Sequence, residues 1–176
     1  MPAILTALLF AQAAAAQAEP APPPPPTACD ADEYRALDFW VGEWEVYRNG
    51  SDTLVARSRI EKLYGGCAIR ENWMPLRGAG GGSLSGYDPA TGRWHQTWFG
   101  SAPGPVFFEG GAADGRVVLT GRWPGSGPDG EDGLTRMTYS PAADGAVRQH
   151  GEFSADHGLT WVTTFDLLYR PGTGEE

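Results

Sequence analysis

From residue 43 to residue 170, apolar and polar side chains alternate in short runs, and almost nowhere does an apolar residue recur at every third or fourth position. A period of two marks a β-strand with one buried face, so the chain reads as all-β. Ten strand-like runs can be delimited, near 43–49, 53–64, 67–76, 82–88, 92–100, 105–111, 116–123, 134–140, 146–153 and 160–170. Turn signals such as Asn49-Gly50, Asp88-Pro89 and Asp144-Gly145 separate them. Short connections make sequential neighbours antiparallel. Ten such strands leave two bare edges unless the sheet closes on itself, so a single antiparallel up-and-down barrel is expected. The one helical pattern is short, Ala31 to Leu37, with Asp30 placed to cap it.

The same alternation assigns faces. Ile69 and Trp73 share one, as do Trp94 and Trp98, and as do Trp161, Phe165, Leu167 and Tyr169. If these face inward, then Ser58, Glu71, Gln96, Tyr139, Gln149 and Thr163 do so too. A barrel of about ten strands is not necessarily filled by its own side chains, so the pattern predicts a cavity lined by aromatics with a few polar groups. The expected ligand-binding set is Glu71, Gln96 and Gln149 as a polar floor, with Trp73, Trp94, Trp98, Tyr139 and Trp161 around it.

Two roles stay open for Glu71. A buried charge costs several kcal/mol unless it is paired or protonated, so it either serves a ligand or a reaction, or is a structural partner of Tyr139, Gln149 or an inward arginine. The tryptophans, Trp44 included, either line a pocket or fill the barrel. Trp40 is expected to plug the barrel end beside the helix. His95 and His150 alternate with inward positions and should face outward.

The termini add a compartment. Residues 1–18 are apolar without a charged side chain and end in Ala16-Gln17-Ala18, which reads as a secretory signal peptide, a retained membrane anchor being the rival reading. Residues 19–28 are a proline-rich spacer favouring an extended polyproline conformation. The barrel domain then spans 29–171, with 172–176 a tail, and a periplasmic or secreted location follows. In that oxidising setting the simplest account of the two cysteines is a Cys29–Cys67 disulfide. The alternative, a metal site, would need further ligands, and His95, His150 and His157 are scattered. With 13 Lys plus Arg against 22 Asp plus Glu, the net charge of −9 disfavours nucleic acid and, once the leader is cleaved, anionic membrane surfaces.

Three motifs invite stronger readings. Ser154 to Trp161, SADHGLTW, fits the S-x-D-x-G-x-T-W Asp-box found in β-propeller sialidases. One copy in a chain with too few strands for a propeller makes it a hairpin device, with Ser154 and Asp156 bonding the turn, Gly158 at positive φ and Trp161 returning to the core. The glycine run 78–82 has no Gly-Lys-Ser/Thr after it and is a loop, not a phosphate cradle. Residues 129–133 lack the ligand spacing of a calcium loop.

Leu37-Asp38-Phe39-Trp40-Val41-Gly42-Glu43-Trp44-Glu45-Val46, Gly66 to Trp73, Gly86-Tyr87-Asp88, Gly92 to Trp98 and Ser154 to Trp161 together resemble calycin-like β-barrel proteins of unknown function from bacteria. The resemblance implies a barrel related in shape to lipocalins and fatty-acid-binding proteins and brings no established activity. Nitrobindins, more distantly similar through the G-x-W element, hold haem through a histidine near the C-terminal end. The last strand predicted here has none, so no cofactor is expected. The expected partner is a small, partly apolar ligand. An enzyme using Glu71 as general acid or base, or a filled barrel acting as a structural or partner-binding module, are the alternatives.

Overall fold

The structure is a computed structural model that describes residues 29–172. The leader, the proline-rich segment and residues 173–176 lie outside the described residues. Ten strands follow one another: β1 Gly42–Arg48, β2 Leu54–Leu63, β3 Ala68–Pro75, β4 Gly81–Asp88, β5 Arg93–Phe99, β6 Val106–Ala113, β7 Arg116–Trp123, β8 Gly133–Pro141, β9 Val147–Ser154 and β10 Val162–Pro171. Each pairs antiparallel with the next, and β1 pairs with β10 from Trp44↔Pro171 to Arg48↔Leu167, which closes the barrel. The expected strand limits differ from these by at most two residues, at the end of β6 and the start of β10.

The helix expected over Ala31–Leu37 takes a different form. Two 3₁₀ turns, Asp32–Arg35 and Asp38–Trp40, stand in its place, and Ala31, not Asp30, occupies the cap position with no side-chain cap bond. Leu37, between the two turns, and Trp40, at the end of the second, are both fully buried.

These turns close one end of the barrel. Trp40 lies against Tyr139 and Tyr169, with ring centroids 4.7 Å and 6.1 Å away. Trp44 donates its indole N–H to the Trp40 carbonyl at 2.9 Å, and Trp94 donates to the Glu33 carbonyl at 3.1 Å. The plug is therefore stitched to β1 and β5. Cys29 and Cys67 form a disulfide across a separation of 38 residues, tying the start of the plug to the β2–β3 turn at the same end. Among the described residues no helix is long and apolar enough to cross a membrane.

Inward parity slips at two places, at the start of β2, where the register against β1 shifts at Val55, and on β10. The β10–β9 register shifts between Thr163 and Phe165, so Thr164 is an extra residue of a bulge. Beyond it Phe165, Leu167 and Tyr169 face inward as expected. Before it Thr163 lies opposite outward-facing Glu152 and is exposed, where the alternation placed it inside. Trp161 likewise stays outside the wall, with the Arg136 guanidinium 4.1 Å from its ring centroid, so it does not return to the core. Gly151 makes room for the re-aimed strand: a Cβ there would lie 2.2 Å from the Phe165 ring.

Candidate functional site

The end opposite the plug is open and leads into a cavity of about 660 Å³. Its wall is Trp73, Trp98, Phe108, Trp123, Phe165 and Leu167; its floor is Glu71, Gln96, Met137, Tyr139, Gln149 and Tyr169; Arg48, Asn49, Thr163 and Asp166 stand at the rim. The volume falls in the range of small-molecule sites. Six side chains expected from the sequence meet here: Glu71, Gln96, Gln149, Trp73, Trp98 and Tyr139. Two do not. Trp94 faces inward but lies at the plugged end, beside Tyr87 and bonded to Glu33, and Trp161 is outside the bulged strand. Trp44 is also part of the plug packing. Trp123 and Phe108 take the places left for tryptophan, and both were legible, since Val117, Leu119, Gly121 and Trp123 share one face of β7 and Val106 and Phe108 one face of β6.

Glu71 is 5 % exposed, and among the described residues no cation is within its reach. It was expected to reach another inward polar group, such as Gln96, Gln149 or Tyr139, and it does reach one, though not one of those three. Its direct partners are instead Ser58, whose hydroxyl donates to Oε1 at 3.1 Å, Ser83, which donates to Oε2 at 3.3 Å, and Tyr169, whose hydroxyl lies 3.4 Å from Oε1. Gln149 is reached only through Tyr169. The Tyr169 hydroxyl has one proton, and the Gln149 carbonyl oxygen at 2.7 Å is far closer than the carboxyl. That leaves a lone pair of the phenol oxygen facing Glu71. Gln149 Nε2 then donates to the Tyr139 hydroxyl at 3.1 Å, Tyr139 donates to Gln96 Oε1 at 3.5 Å, and Gln96 Nε2 donates to Ser85 at 3.0 Å.

With Tyr169 donating to Gln149 and Tyr139 to Gln96, the donors run away from Glu71, the group at the head of the chain. A protonated carboxyl completes it, whereas a carboxylate faces the phenol oxygen lone pair. Burial pushes the Glu71 carboxyl up to about 7, and the hydrogen bonds from Ser58 and Ser83 offset only part of that rise. Burial, and then the nearby Glu71 charge, raises both Tyr139 and Tyr169 above the ordinary phenol range, so they stay neutral. Glu71 is thus an acid that can give or take a proton near neutrality while its surroundings stay uncharged.

The other carboxylate at the cavity is Asp166, at the rim. Arg148 holds it through Nε at 2.8 Å and a second nitrogen at 2.7 Å, Asn49 adds a bond at 3.0 Å, and these bonds keep it below the usual carboxylate range. It is a paired structural charge. Among the described residues no second carboxylate flanks a substrate position opposite Glu71, as two-carboxylate glycoside hydrolysis needs. Among the described residues no three His, Cys, Asp or Glu side chains gather as a metal centre requires.

The Asp-box is a turn at the rim. Asp156 accepts from Ser154 at 2.7 Å, the Thr160 amide at 2.9 Å and the Thr160 hydroxyl at 2.6 Å, while the Gly158 amide donates to Ser154 at 2.8 Å. Thr160's bonds, then those of Ser154 and the Leu159 amide, hold the Asp156 carboxyl well below its ordinary range. Gly158 takes φ +90° and His157 φ +61°, as a tight loop demands. The outward histidines are as expected: His95 is exposed, and His150 bonds Thr163 at 2.9 Å on the outer face. The chain matches no protein-family model, and no curated protein is detectably similar to it in sequence.

Proposed function

We propose that this protein is an exported, calycin-like barrel that binds a small, partly apolar molecule in its aromatic cavity, with Glu71, Gln149, Tyr139 and Gln96 as a polar floor. The observation that carries the reading is an open cavity of about 660 Å³ in which one buried acid without a counter-ion heads a fully partnered hydrogen-bond chain. A structural barrel would gain more by filling that space with side chains, since each unfilled void forfeits packing. The disulfide and the apolar leader support a periplasmic or secreted location. The resemblance to calycin-like proteins supports the same site, because barrels of that shape hold their ligands inside.

The test is native mass spectrometry of the protein purified from its own cells without denaturation. A mass excess that disappears on denaturation supports the reading. Apo protein together with no change in tryptophan emission on addition of apolar aromatic probes would overturn it. A second reading rests on the acidity of Glu71 alone: a side chain that titrates near neutrality inside a ligand-sized cavity suits a general acid or base. Conversion of a bound compound, lost in Glu71→Gln with binding retained, would favour it.

A further inference from the structure

Nine of the thirteen basic side chains are accounted for. Arg35, Arg57, Arg59, Lys62, Arg70, Arg93, Arg136, Arg148 and Arg170 each pair with an acidic side chain on the outer surface. Among the described residues Arg48, Arg77, Arg116 and Arg122 have no such partner, and of these four only Arg48 lines the cavity. This placement follows from the strand. Arg48 is the last residue of β1, on the same strand face as Trp44 and Val46 and opposite Leu167, so its exposed side chain lines the cavity just where the wall ends. In a chain of net charge −9, an unpaired guanidinium at the lip of an apolar hole stands apart.

The two ends of the cavity differ in what they accept. At the floor, an anion would meet Glu71 with no cation near it, and the hydrogen-bond chain there runs among neutral groups. At the mouth, Asp166 is already held by Arg148 and Asn49, which leaves the Arg48 donors unused. The middle is walled by Trp73, Trp98, Trp123 and Phe108, which favour a flat or apolar body. We infer that the ligand of this cavity is an amphipathic anion bound head-out, its carboxylate, sulfonate or phosphate held by Arg48 at the mouth and its aromatic or aliphatic body inserted toward a floor that takes only neutral hydrogen-bonding groups. The inference rests on the proposed binding role of the same cavity.

Two fluorescent probes that differ by one charged group test it: N-phenyl-1-naphthylamine, which is uncharged, and its 8-sulfonate, 1-anilinonaphthalene-8-sulfonate. Their affinities are measured on the disulfide-intact protein, on Arg48→Gln and on Arg77→Gln, which removes another unpaired cation outside the cavity. The sulfonate should bind wild type about fivefold to tenfold more tightly than the amine, as one partly exposed charge-assisted contact allows. Arg48→Gln should abolish that preference with amine binding unchanged, Arg77→Gln should preserve it, and added salt should weaken it. A preference that survives Arg48→Gln, or two probes that bind equally well to wild type, overturns the head-out anion and leaves the binding cavity standing. Binding of neither probe overturns both.

Discussion

Replacing Glu71 by Gln keeps the size and shape of the side chain and removes one titration, so the pH dependence of stability isolates what the buried acid costs. The folded-state value is raised from 4.5 to about 7, chiefly by burial. Below the unfolded value both states hold the proton and the contribution of the group is fully present. Between the two values the unfolded chain releases its proton while the folded chain keeps it, so stability falls as pH rises, and the loss is complete above the folded value. A rise of that size corresponds to about 3 kcal/mol. Glu71→Gln should therefore equal or trail wild type near pH 4 and exceed it by about 3 kcal/mol near pH 8. That difference is roughly 6–12 °C in Tm for a domain of this length. Urea unfolding of both proteins across this range measures it, with the disulfide intact. Carboxylates held low, such as Asp156, Asp166 and Glu152, titrate in both proteins and cancel in the difference. A difference that stays within about 0.5 kcal/mol from end to end would refute the assignment of Glu71 as a buried acid without a counter-ion.

Other consequences can be checked independently. Denatured, unreduced protein should show no free thiol, and a Cys29→Ser, Cys67→Ser double variant should lose about 4 kcal/mol in chemical unfolding, as chain entropy predicts for a closed loop of this length. Two titratable thiols in exported material, or a variant as stable as wild type, would contradict this. Asp156→Ala should lower the thermal midpoint and leave N-phenyl-1-naphthylamine affinity nearly unchanged, since its bonds all stay within the Asp-box turn; lost affinity at an unchanged midpoint would show the loop to be part of the site. Because the Asp156 carboxyl is held low, its stabilisation is present above the ordinary aspartate value and fades as pH falls below it, so the variant should also lose part of the acid sensitivity of wild type. Gly151→Ala should cost about 1–3 kcal/mol by forcing the Phe165 ring off its seat, and the displaced ring should reduce probe binding. Unaltered binding and stability would mean that the strand absorbs the methyl group elsewhere.

Much of this architecture could be read from the chain because period two and turn chemistry agree along it. Ile69, Glu71 and Trp73 alternate without interruption, and so Glu71 had to face inward. Parity, however, encodes a side and not a height. Trp94 and Trp98 share a face of β5, yet one packs the plug and the other walls the cavity, and only the stagger of the closed sheet separates them. The partners of Glu71 were hidden for a related reason. Ser83 lies opposite it on β4, and Ser58 lies diagonal to it on β2, two residues from its direct partner Ile60; register follows from pairing across strands, which no single strand reveals. Trp161 and Thr163 were misplaced by one inserted residue, Thr164, in a run whose composition carries no mark of a bulge.

The closure of the sheet also has a consequence in time. Nine of the ten strand pairings join neighbours across a turn, but β1 and β10 bring Trp44 beside Pro171 and must close most of the chain. Loop-closure entropy makes that seam about 2 kcal/mol costlier to nucleate than a hairpin of ordinary length, so it forms after the hairpins it completes. The rim is built across this seam: Asn49 bonds Asp166 through both backbone and side chain, and Arg48 stands opposite Leu167. A nascent or partly opened chain can have every hairpin in place and still be a curved sheet that holds nothing, because the cavity comes into being only when the two ends of the polypeptide meet.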